Sequence, residues 1–367
     1  MHLSYFKIPL IIVLGLLSFF VLFLVYINLT GYKPKDVVAL NVNNNSFEGM
    51  RSETMEQESV IKKNTPLSMI TFNIGYCGLD RNQDFFMDGG KSSRSFSKEQ
   101  TLINLENITR FFQNDKPSFI LIQEADVSST RSYHINQKEY LEKELTGYAS
   151  TFGVNYQVSW VPAPLLHPMG AVYSGLLTLS RYKSDSAARF QYPGREKWLR
   201  QMFDLDRCFI ENRLPVEGGK ELVLINSHLS AFDEGGLIRQ KQLEFLKKHI
   251  SEEYYDKGNY VIVGGDWNHI LPGTNPGIFG FTEEKPFWVQ EMPQDFTPAG
   301  FKWAVDRKTP SVRSTAAPYQ EKQNFVAVID GFLVSPNIEI QNCQGYQLNF
   351  ENSDHNPVSF IFTLSYR

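Results

Sequence analysis

The stretch 260–268 ends in two polar residues that could do chemistry. Residues 260–263 are aromatic or β-branched and predict a buried strand, which then meets Gly264 and Gly265. Asp266 and Asn268 follow at once, and they point to the same side if the chain stays extended, because side chains alternate along a strand. A carboxylate and an amide that emerge together indicate a site, and an Asx turn closing the strand is the alternative.

Five further places in the chain put polar residues beside apolar stretches. Each has a plain explanation when taken alone: a carboxylate at a strand end is usually solvated, a lone histidine is usually structural, and an aspartate before glycine is often a turn residue. Six such places are harder to explain as turns, so together they predict one site. Besides Asp266 and Asn268, its candidate residues are Asn73, Glu124, His228, Asp330, Asp354 and His355.

These residue types suit oxygen-ligand metal catalysis. Glu124, Asp354 and Asn73 offer the hard oxygen ligands that Mg²⁺, Mn²⁺ or Ca²⁺ prefer. The sequence has no HExxH motif and no cysteine cluster, which argues against zinc. A divalent cation beside histidine and aspartate serves phosphoryl chemistry: the cation polarises the phosphate, an aspartate activates water and a histidine stabilises developing charge. Asp330 could orient His355 by holding one ring nitrogen.

Strands and helices must position these residues. Strands are predicted at 67–73, 118–124, 151–160, 175–179, 208–214, 221–227, 260–263, 326–334 and 357–364, and amphipathic helices at 99–112 and 235–255. Some strands follow one another directly, whereas others are separated by helices. This order predicts an α/β protein in which helices cover a mixed sheet system.

The N-terminus predicts a membrane anchor. Residues 8–32 contain no charge and are mostly Leu, Ile, Val or Phe, which is long enough to span a bilayer. A cleaved signal peptide is the competing interpretation, but no A-x-A-like cleavage site is evident. We therefore predict an uncleaved signal anchor at 1–32, a polar tether at 33–66 and a folded domain at 67–367. The very short N-terminal flank favours an extracytoplasmic domain.

Composition limits the classes of partner. The net charge is −4, so no global basic field attracts nucleic acid. The three cysteines are widely spaced, permit at most one disulfide and do not fix a redox compartment. No obligate protein partner is evident.

The six polar places, taken in order, resemble the endonuclease/exonuclease/phosphatase superfamily. Members include DNase I, the exonuclease III-type AP endonucleases, the neutral sphingomyelinases and the inositol polyphosphate 5-phosphatases. Each motif alone is weak, but six in the family's order are specific. The motifs that carry the resemblance are Phe72-Asn73, Gln123-Glu124, Ser227-His228-Leu229, Gly265-Asp266-Trp267-Asn268, Ile329-Asp330 and Ser353-Asp354-His355-Asn356-Pro357-Val358.

The resemblance implies a four-layer α/β sandwich, with two facing mixed sheets flanked by helices, and metal-dependent hydrolysis of a phosphate ester with Mg²⁺ or Mn²⁺. It implies Glu124 as the main metal ligand, with Asn73 and Asp354 near the metal or phosphate. Asp266 would align or deprotonate the attacking water, helped by Asn268. His228 and His355 would contact the scissile phosphate, with Asp330 orienting His355. Because the family's use of one or two metals is unsettled, the metal and catalytic roles could exchange.

Three further features of the sequence bear on this resemblance. Trp267 stands where Phe is more usual, a conservative change with no expected loss of activity. Arg131 and Tyr133 follow Glu124 closely and are predicted to contact the substrate phosphate. The long segment 75–97 is either a substrate-side loop or a surface insertion.

The sequence is compatible with three functions. The anchor favours a membrane-held phosphodiesterase that acts on a phospholipid or another extracytoplasmic phosphate ester. An extracytoplasmic nuclease acting on DNA or RNA is the alternative, although the acidic composition counts against it. A non-catalytic binding protein on the same fold is the third, disfavoured by the retained acid, amide and histidine set.

Overall fold

The computed structural model describes residues 3–44 and 59–365. Residues 45–58 of the predicted tether, and the first two residues of the predicted anchor, lie outside this part of the chain. The helices are α1 (Leu3–Thr30), α2 (Lys98–Asp115), α3 (Gln137–Glu144), α4 (Trp198–Gln201) and α5 (Leu237–Ser251), the last continuing into a π-helical turn at Glu252–Asp256. Within the described residues, the stretch Ile8–Thr30 of α1 is long and apolar enough to cross a membrane.

Two seven-stranded mixed sheets form the centre of the molecule. In spatial order, the first sheet contains β17 (Ile338–Gly345), β18 (Val358–Leu364), β3 (Leu67–Asn73), β4 (Phe119–Asp126), β6 (Gly170–Ser180), β5 (Ala149–Val161) and β2 (Val42–Asn43). The second contains β1 (Val37–Ala39), β7 (Ser186–Gln191), β8 (Cys208–Val216), β9 (Lys220–His228), β10 (Tyr260–Asp266), β16 (Asp330–Val334) and β13 (Lys302–Ala304). Two small ribbons pair β11 (His269–Ile270) with β12 (Gln290–Glu291) and β14 (Val312–Arg313) with β15 (Val326–Ala327).

The two sheets face each other across an apolar core. Met69 and Leu121 of the first sheet pack in one cluster with Leu224, Ile262 and Phe332 of the second. Separate clusters bind α2 and α3 to the outer face of the first sheet, and α5 to the outer face of the second. The predicted four-layer α/β sandwich is therefore confirmed.

The segment that follows α1 joins the edges of both sheets. β1 pairs with β7 of the second sheet, and β2 pairs with β5 of the first. Further on, Ile61 bridges Val216 and is 1% exposed. The segment 33–66 thus contains two short strands and a buried residue, while the start of a separate domain at residue 67 stays a prediction.

Side-chain alternation carries polar residues into the space between the sheets. Leu224 points into the core, so Asn226 and His228 on the same strand face the same way. Ile262 also points into the core, so Asp266 on the same strand faces the core, and Asn73 faces the core for the same reason on the strand of Met69. The core therefore changes from apolar to polar toward one end of the sandwich.

A buried amide pair ties the two sheets together just below this polar end. Gln123 Nε2 donates to Asn226 Oδ1 over 2.7 Å. Asn226 Nδ2 in turn lies 3.1 Å from the carbonyl of Ile122 and 3.2 Å from that of Leu177, both in the first sheet. These bonds fix how the strand ends of one sheet face those of the other.

We expect Asn226→Ala to destabilise the protein by about 2 kcal/mol, because it leaves buried donors and acceptors without partners. The measurement is the urea midpoint of the detergent-solubilised chain. Asn114→Ala, at an exposed position with right-handed backbone near the end of α2, is the control. An unchanged midpoint for Asn226→Ala would contradict a structural role for the amide pair.

The structure corrects one predicted strand and adds others. The stretch 326–334 is not continuous, because Val326–Ala327 pairs with β14 while Asp330–Val334 joins the second sheet. Between them, the carbonyls of Val328 and Ile329 accept hydrogen bonds from the backbone of the 267–271 loop. The strands β7, β13 and β17 and helix α3 had no clear sequence signal.

Candidate active site

The polar strand ends meet in one cleft of about 300 Å³. It is lined by seven of the eight residues predicted for catalysis or metal binding: Asn73, Glu124, His228, Asp266, Asn268, Asp354 and His355. The eighth, Asp330, contacts His355 from behind. Residues distant in the chain are thus brought to one place by the ends of five strands and two adjoining loops.

Asp266 lies at the centre of the cluster and is 2% exposed. Its Oδ2 accepts a hydrogen bond from Asn73 Nδ2 at 3.0 Å, and lies 3.3 Å from His228 Nε2 and 3.7 Å from His355 Nε2. Its Oδ1 accepts the backbone N–H of Asn268 at 2.9 Å. Burial raises the pKa of Asp266 to about 7, against the opposing effect of the charge on His355. A carboxylate poised near neutrality can accept a proton from water.

His355 and Asp330 form a buried ion pair. His355 Nδ1 lies 2.8 Å from Asp330 Oδ2, and both side chains are at most 5% exposed. Burial acts to lower the pKa of His355, but the carboxylates of Asp330 and Asp266 raise it to about 10. The imidazole therefore carries a positive charge at neutral pH, directed into the cleft where a phosphate could sit. Ser311 Oγ holds the strand start by accepting the backbone N–H of Asp330 at 3.0 Å.

His228 has the opposite electrostatic character. Burial lowers the pKa of His228 well below its ordinary value, and the charges of Arg207 and His355 lower it further. A neutral His228 can donate from Nε2 to Asp266, while Nδ1 has no partner among the described residues. The two histidines thus differ: one is a cation and the other is a neutral donor and acceptor.

A β-bulge turns Glu124 toward the cleft. The register between β4 and β6 shifts between Ile122 and Ala125, and Glu124 adopts a left-handed φ of 58°. Strict alternation from inward-facing Gln123 would have sent Glu124 to the outer face. Bulges re-aim side chains next to active sites, and this one brings the Glu124 carboxylate into the cleft.

Arg131 and Tyr133 have different surroundings. Arg131 lines the cleft, is 4% exposed, forms a two-bond pair with Asp126 at 3.0 and 3.2 Å, and lies 3.8 Å from Glu124. Tyr133 is half-exposed, and its hydroxyl donates to the carbonyl of Ser95 at 3.1 Å. Tyr133 is not among the cleft-lining residues, so the structure brings Arg131 but not Tyr133 to the site.

Glu124 and Asp354 could hold a divalent cation. Burial raises the pKa of Asp354 to about 6, and the negative charge of Glu124 contributes to the rise. Two carboxylates that repel each other in a buried cleft match the donor chemistry of a hard cation. The Asn73 amide oxygen accepts the Gly75 N–H at 3.0 Å, and its nitrogen faces Asp266. In this orientation Asn73 supports the carboxylates through its nitrogen. It does not offer its oxygen to the cation as a third ligand.

Asp266, Asp330 and His355 form a second group with ligand atoms within 4.8 Å of one another. The Nδ1 of His355 is already engaged with Asp330, and its raised pKa favours the protonated ring. A protonated imidazole cannot bind a metal through nitrogen. This group therefore suits proton chemistry better than metal binding.

Gly265 lets β10 approach β9 closely enough to position Asp266. A Cβ on Gly265 would lie 1.9 Å from the carbonyl oxygen of Ser227, and φ is +145°. We expect Gly265→Ala to destabilise the protein by about 3 kcal/mol or more, since backbone must shift on the strand that carries Asp266. Thermal unfolding measures the effect, with Gly219→Ala as control, where φ is also positive but the space is open. Equal effects of the two substitutions would contradict the close-approach argument.

Asn268 holds the loop after β10. Its backbone adopts a left-handed φ of 48°, and its Nδ2 donates to the carbonyl of Leu229 at 2.9 Å. The chain therefore turns sharply after Asp266, and both residues line the cleft. The Asx turn considered for this stretch is present, because Asp266 accepts the Asn268 N–H, and it coexists with the site.

Sequence reasoning missed Tyr76, Asn155 and Arg207, which also line the cleft. The Tyr76 hydroxyl has no hydrogen-bond partner among the described residues, and the Tyr76 ring stacks under Arg131 at 4.0 Å. A signal existed for Arg207. It directly precedes β8, and because β8 runs antiparallel to β9, the start of β8 lies at the same edge as the end of β9.

The segment 75–97 runs along the cleft. Leu79, Phe85 and Asp88 line it, and Asp88 accepts a hydrogen bond from Trp288 Nε1 at 2.7 Å. Thr315 donates to the same carboxylate through its backbone N–H at 2.6 Å. Part of the segment therefore lines the cleft, and its role as a substrate-side loop stays a prediction.

The comparisons with known proteins agree with this architecture. No family model and no curated protein matches the sequence. Solved structures do match. An endonuclease/exonuclease/phosphatase from Beutenbergia cavernae has a TM-score of 0.54 at 16% identity, covering 82% of this chain and 72% of its own. TDP2 from D. rerio, in complex with a single-strand DNA product, has a TM-score of 0.51 at 14% identity, covering 82% and 100%. ANGEL2, described as a 2′,3′-cyclic phosphatase, has a TM-score of 0.51 at 14% identity, covering 84% and 99%.

The chain therefore has the fold of the endonuclease/exonuclease/phosphatase superfamily. The motifs that suggested this resemblance lie at the ends of the strands and in the loops that build the cleft. At this identity the likeness concerns the fold alone, and any chemistry depends on the residues of the cleft.

Proposed function

We propose that this chain is a divalent-metal-dependent phosphoric ester hydrolase held at a membrane by its N-terminal helix. The observation that carries the proposal is the arrangement around Asp266. A buried carboxylate with a pKa near 7 lies within 4 Å of one neutral and one charged histidine, beside two further carboxylates. This combination supplies a base, a cationic group and cation ligands in one cleft.

The residues of the cleft divide the work as follows. Asp266 accepts a proton from water as the water oxygen attacks phosphorus, with Asn268 holding the turn that aims the carboxylate. His355, charged and oriented by Asp330, stabilises negative charge on the phosphoryl oxygens. His228 contacts the same phosphate through a neutral ring nitrogen. The P–O bond to the leaving group breaks, and the leaving oxygen takes a proton from solvent.

Glu124 and Asp354 would hold the cation, with Asn73 supporting them. Mg²⁺ or Mn²⁺ bound there would polarise the phosphate and stabilise charge on the leaving oxygen. Arg131 adds a positive charge to the cleft wall and is paired with Asp126 at 3.0 Å. Tyr133 would contact the substrate only if the substrate extended beyond the cleft.

Membrane attachment rests on α1. The large side chains of its stretch 8–22 are exposed, for example Leu16 at 64% and Phe19 at 71%. Exposed side chains of this kind need an apolar surrounding, which a bilayer provides. A signal peptide that is later removed is the competing interpretation. We propose a single-pass protein with an extracytoplasmic catalytic domain, acting on a phospholipid or another phosphate ester.

A nuclease is the second candidate. TDP2 from D. rerio was solved with a single-strand DNA product, so this fold accommodates nucleic acid in that protein. The net charge of −4 disfavours it here, since nucleic-acid affinity comes largely from basic residues that contact phosphates. A non-catalytic binding protein is the third and least favoured reading of the cleft.

The test uses the purified full chain in detergent with Mg²⁺, Mn²⁺ or EDTA. Bis-p-nitrophenyl phosphate, single- and double-stranded DNA, RNA, a sphingomyelin-type lipid and a glycerophospholipid are compared. Turnover that requires the cation supports the hydrolase, and the preferred substrate chooses between the first two candidates. Absence of turnover on every substrate, with the protein folded, would favour the binding protein.

A further inference from the structure

The C-terminal half of α1 packs against the catalytic domain beside the cleft. Phe23 stacks on Phe203, with ring centroids 6.1 Å apart and planes 13° apart. Four residues later, Ile27 is 1% exposed, and Ser159 Oγ donates to Thr30 Oγ1 at 2.8 Å. The helix and the domain thus meet along a defined face rather than through a loose connection.

The contact with Phe203 continues into the cleft. Phe203 packs in an apolar cluster with Tyr156, Val161, Met169 and Leu205, and all five residues line the cleft. Tyr156 donates its hydroxyl hydrogen to the carbonyl of Phe203 at 2.8 Å. One apolar wall therefore leads from the polar catalytic end to the face on which α1 packs.

The depth of this contact follows from helix geometry. If the stretch Ile8–Thr30 spans a bilayer, Thr30 lies near the interface. Phe23 is seven residues earlier, so it lies about 10 Å deeper at 1.5 Å per residue. Phe203, which stacks on it, then lies below the headgroups, at the level of the outer acyl chains.

Exposed apolar side chains surround this face. We define the membrane-facing surface as the tip of the β5–β6 hairpin and helix α4. It comprises Trp160, Leu165, Leu166, Trp198 and Leu199, which are 39%, 89%, 86%, 70% and 42% exposed. Both parts adjoin the Phe203 contact, because the hairpin supplies Val161 and Met169, and α4 directly precedes Phe203.

Basic residues accompany the apolar ones. Arg195, Lys197 and Arg200 are exposed on and beside α4, and Arg195 and Arg200 line the cleft. Arg200 pairs with Glu196 at 3.6 Å and Asp204 at 3.3 Å, which leaves Arg195 and Lys197 as the cations outside those ion pairs. Tryptophan with arginine and lysine is the composition of protein surfaces at the lipid headgroup level. In water alone, it would be unfavourable to expose two adjacent leucines that are each more than four-fifths exposed.

We propose that the membrane-facing surface lies on the bilayer that holds α1, so that the cleft opens toward lipid. The substrate is then an amphiphilic phosphate ester that enters from the membrane, with its phosphate beside His228 and His355 and its apolar part along the wall formed by Tyr156, Val161 and Met169. The proposed bilayer contact depends only on α1 and the membrane-facing surface. The substrate class rests on the proposed function.

The contact is tested with the full chain in nanodiscs that contain phospholipids brominated on the acyl chains. Of the five tryptophans, Trp160 and Trp198 belong to the surface, Trp267 and Trp288 are at most 5% exposed, and Trp303 packs against Trp267. Brominated lipid should quench emission in the wild type, and this quenched component should be missing in the W160F/W198F variant. Equal quenching in both proteins overturns the contact.

The route of the substrate is tested in the same nanodiscs. The L165S/L166S variant should hydrolyse a phosphodiester lipid about tenfold more slowly, because two apolar contacts with the bilayer are lost, yet hydrolyse bis-p-nitrophenyl phosphate normally. Ile278→Ser, exposed by 61% outside the surface, is the matched control. Lipid turnover that is unchanged in L165S/L166S, or that falls together with the soluble substrate, overturns the route. Quenching without hydrolysis of any substrate by the wild type would preserve the bilayer contact and refute the proposed function instead.

Discussion

Asp266→Asn is expected to lower kcat by about a thousandfold or more, which is within the range for loss of a general base. The substitution keeps the size of the side chain and its contact with Asn268, but removes the group that can take a proton. KM should change little, because His228, His355 and the cation ligands stay in place. The measurement is metal-dependent turnover of bis-p-nitrophenyl phosphate at saturating cation.

Two measurements test whether the loss of turnover is specific to the Asp266 carboxylate. Asp295→Asn changes an exposed carboxylate and should leave turnover unaltered. The unfolding midpoint of Asp266→Asn should stay close to that of the wild type, since relief of the desolvation cost of the buried carboxylate is offset by loss of the hydrogen bond from Asn73. A variant that folds normally and retains more than a tenth of the activity would rule out Asp266 as the base.

Glu124→Gln is expected to weaken cation binding by about a hundredfold and to lower turnover to a similar extent at limiting cation. One of the two carboxylates of the candidate metal site is lost, while the backbone bulge and the contact toward Asn73 are kept. Calorimetric titration with Mn²⁺ gives the affinity without relying on activity. High cation concentration should restore part of the rate.

The matched control for Glu124 is Glu142→Gln, a carboxylate on α3 that pairs with Lys138 and is absent from the cleft. It should leave Mn²⁺ affinity unchanged. If Glu124→Gln bound Mn²⁺ as tightly as the wild type, the metal site would have to be reassigned to other oxygens of the cleft.

The sequence predicted the inward-facing residues well because alternation is a local rule. Asn73, His228 and Asp266 face the same side of their strands as the alternate apolar residues before them. The ends of neighbouring parallel strands also meet at one edge of the sheet. The family resemblance carried by the six motifs then implied the four-layer architecture. The direction of each side chain on its strand depends only on residues close together in the chain.

Other features depend on partners far away in the chain and were not predictable. Glu124 reaches the cleft only through a bulge, and a bulge is a mismatch with a neighbouring strand. The break in the stretch 326–334 arises because its two halves find different partners, which no periodicity encodes.

The short strands after α1 have a consequence for where the proposed hydrolase can act. β1 begins seven residues after the end of α1, and β1 and β2 are bound to the edges of different sheets. Such a connection leaves the catalytic domain little freedom to swing away from its own bilayer. If α1 spans a membrane, the protein should act in cis, on molecules of the leaflet beneath it, and vesicles carrying substrate but no enzyme should be spared in a mixed suspension.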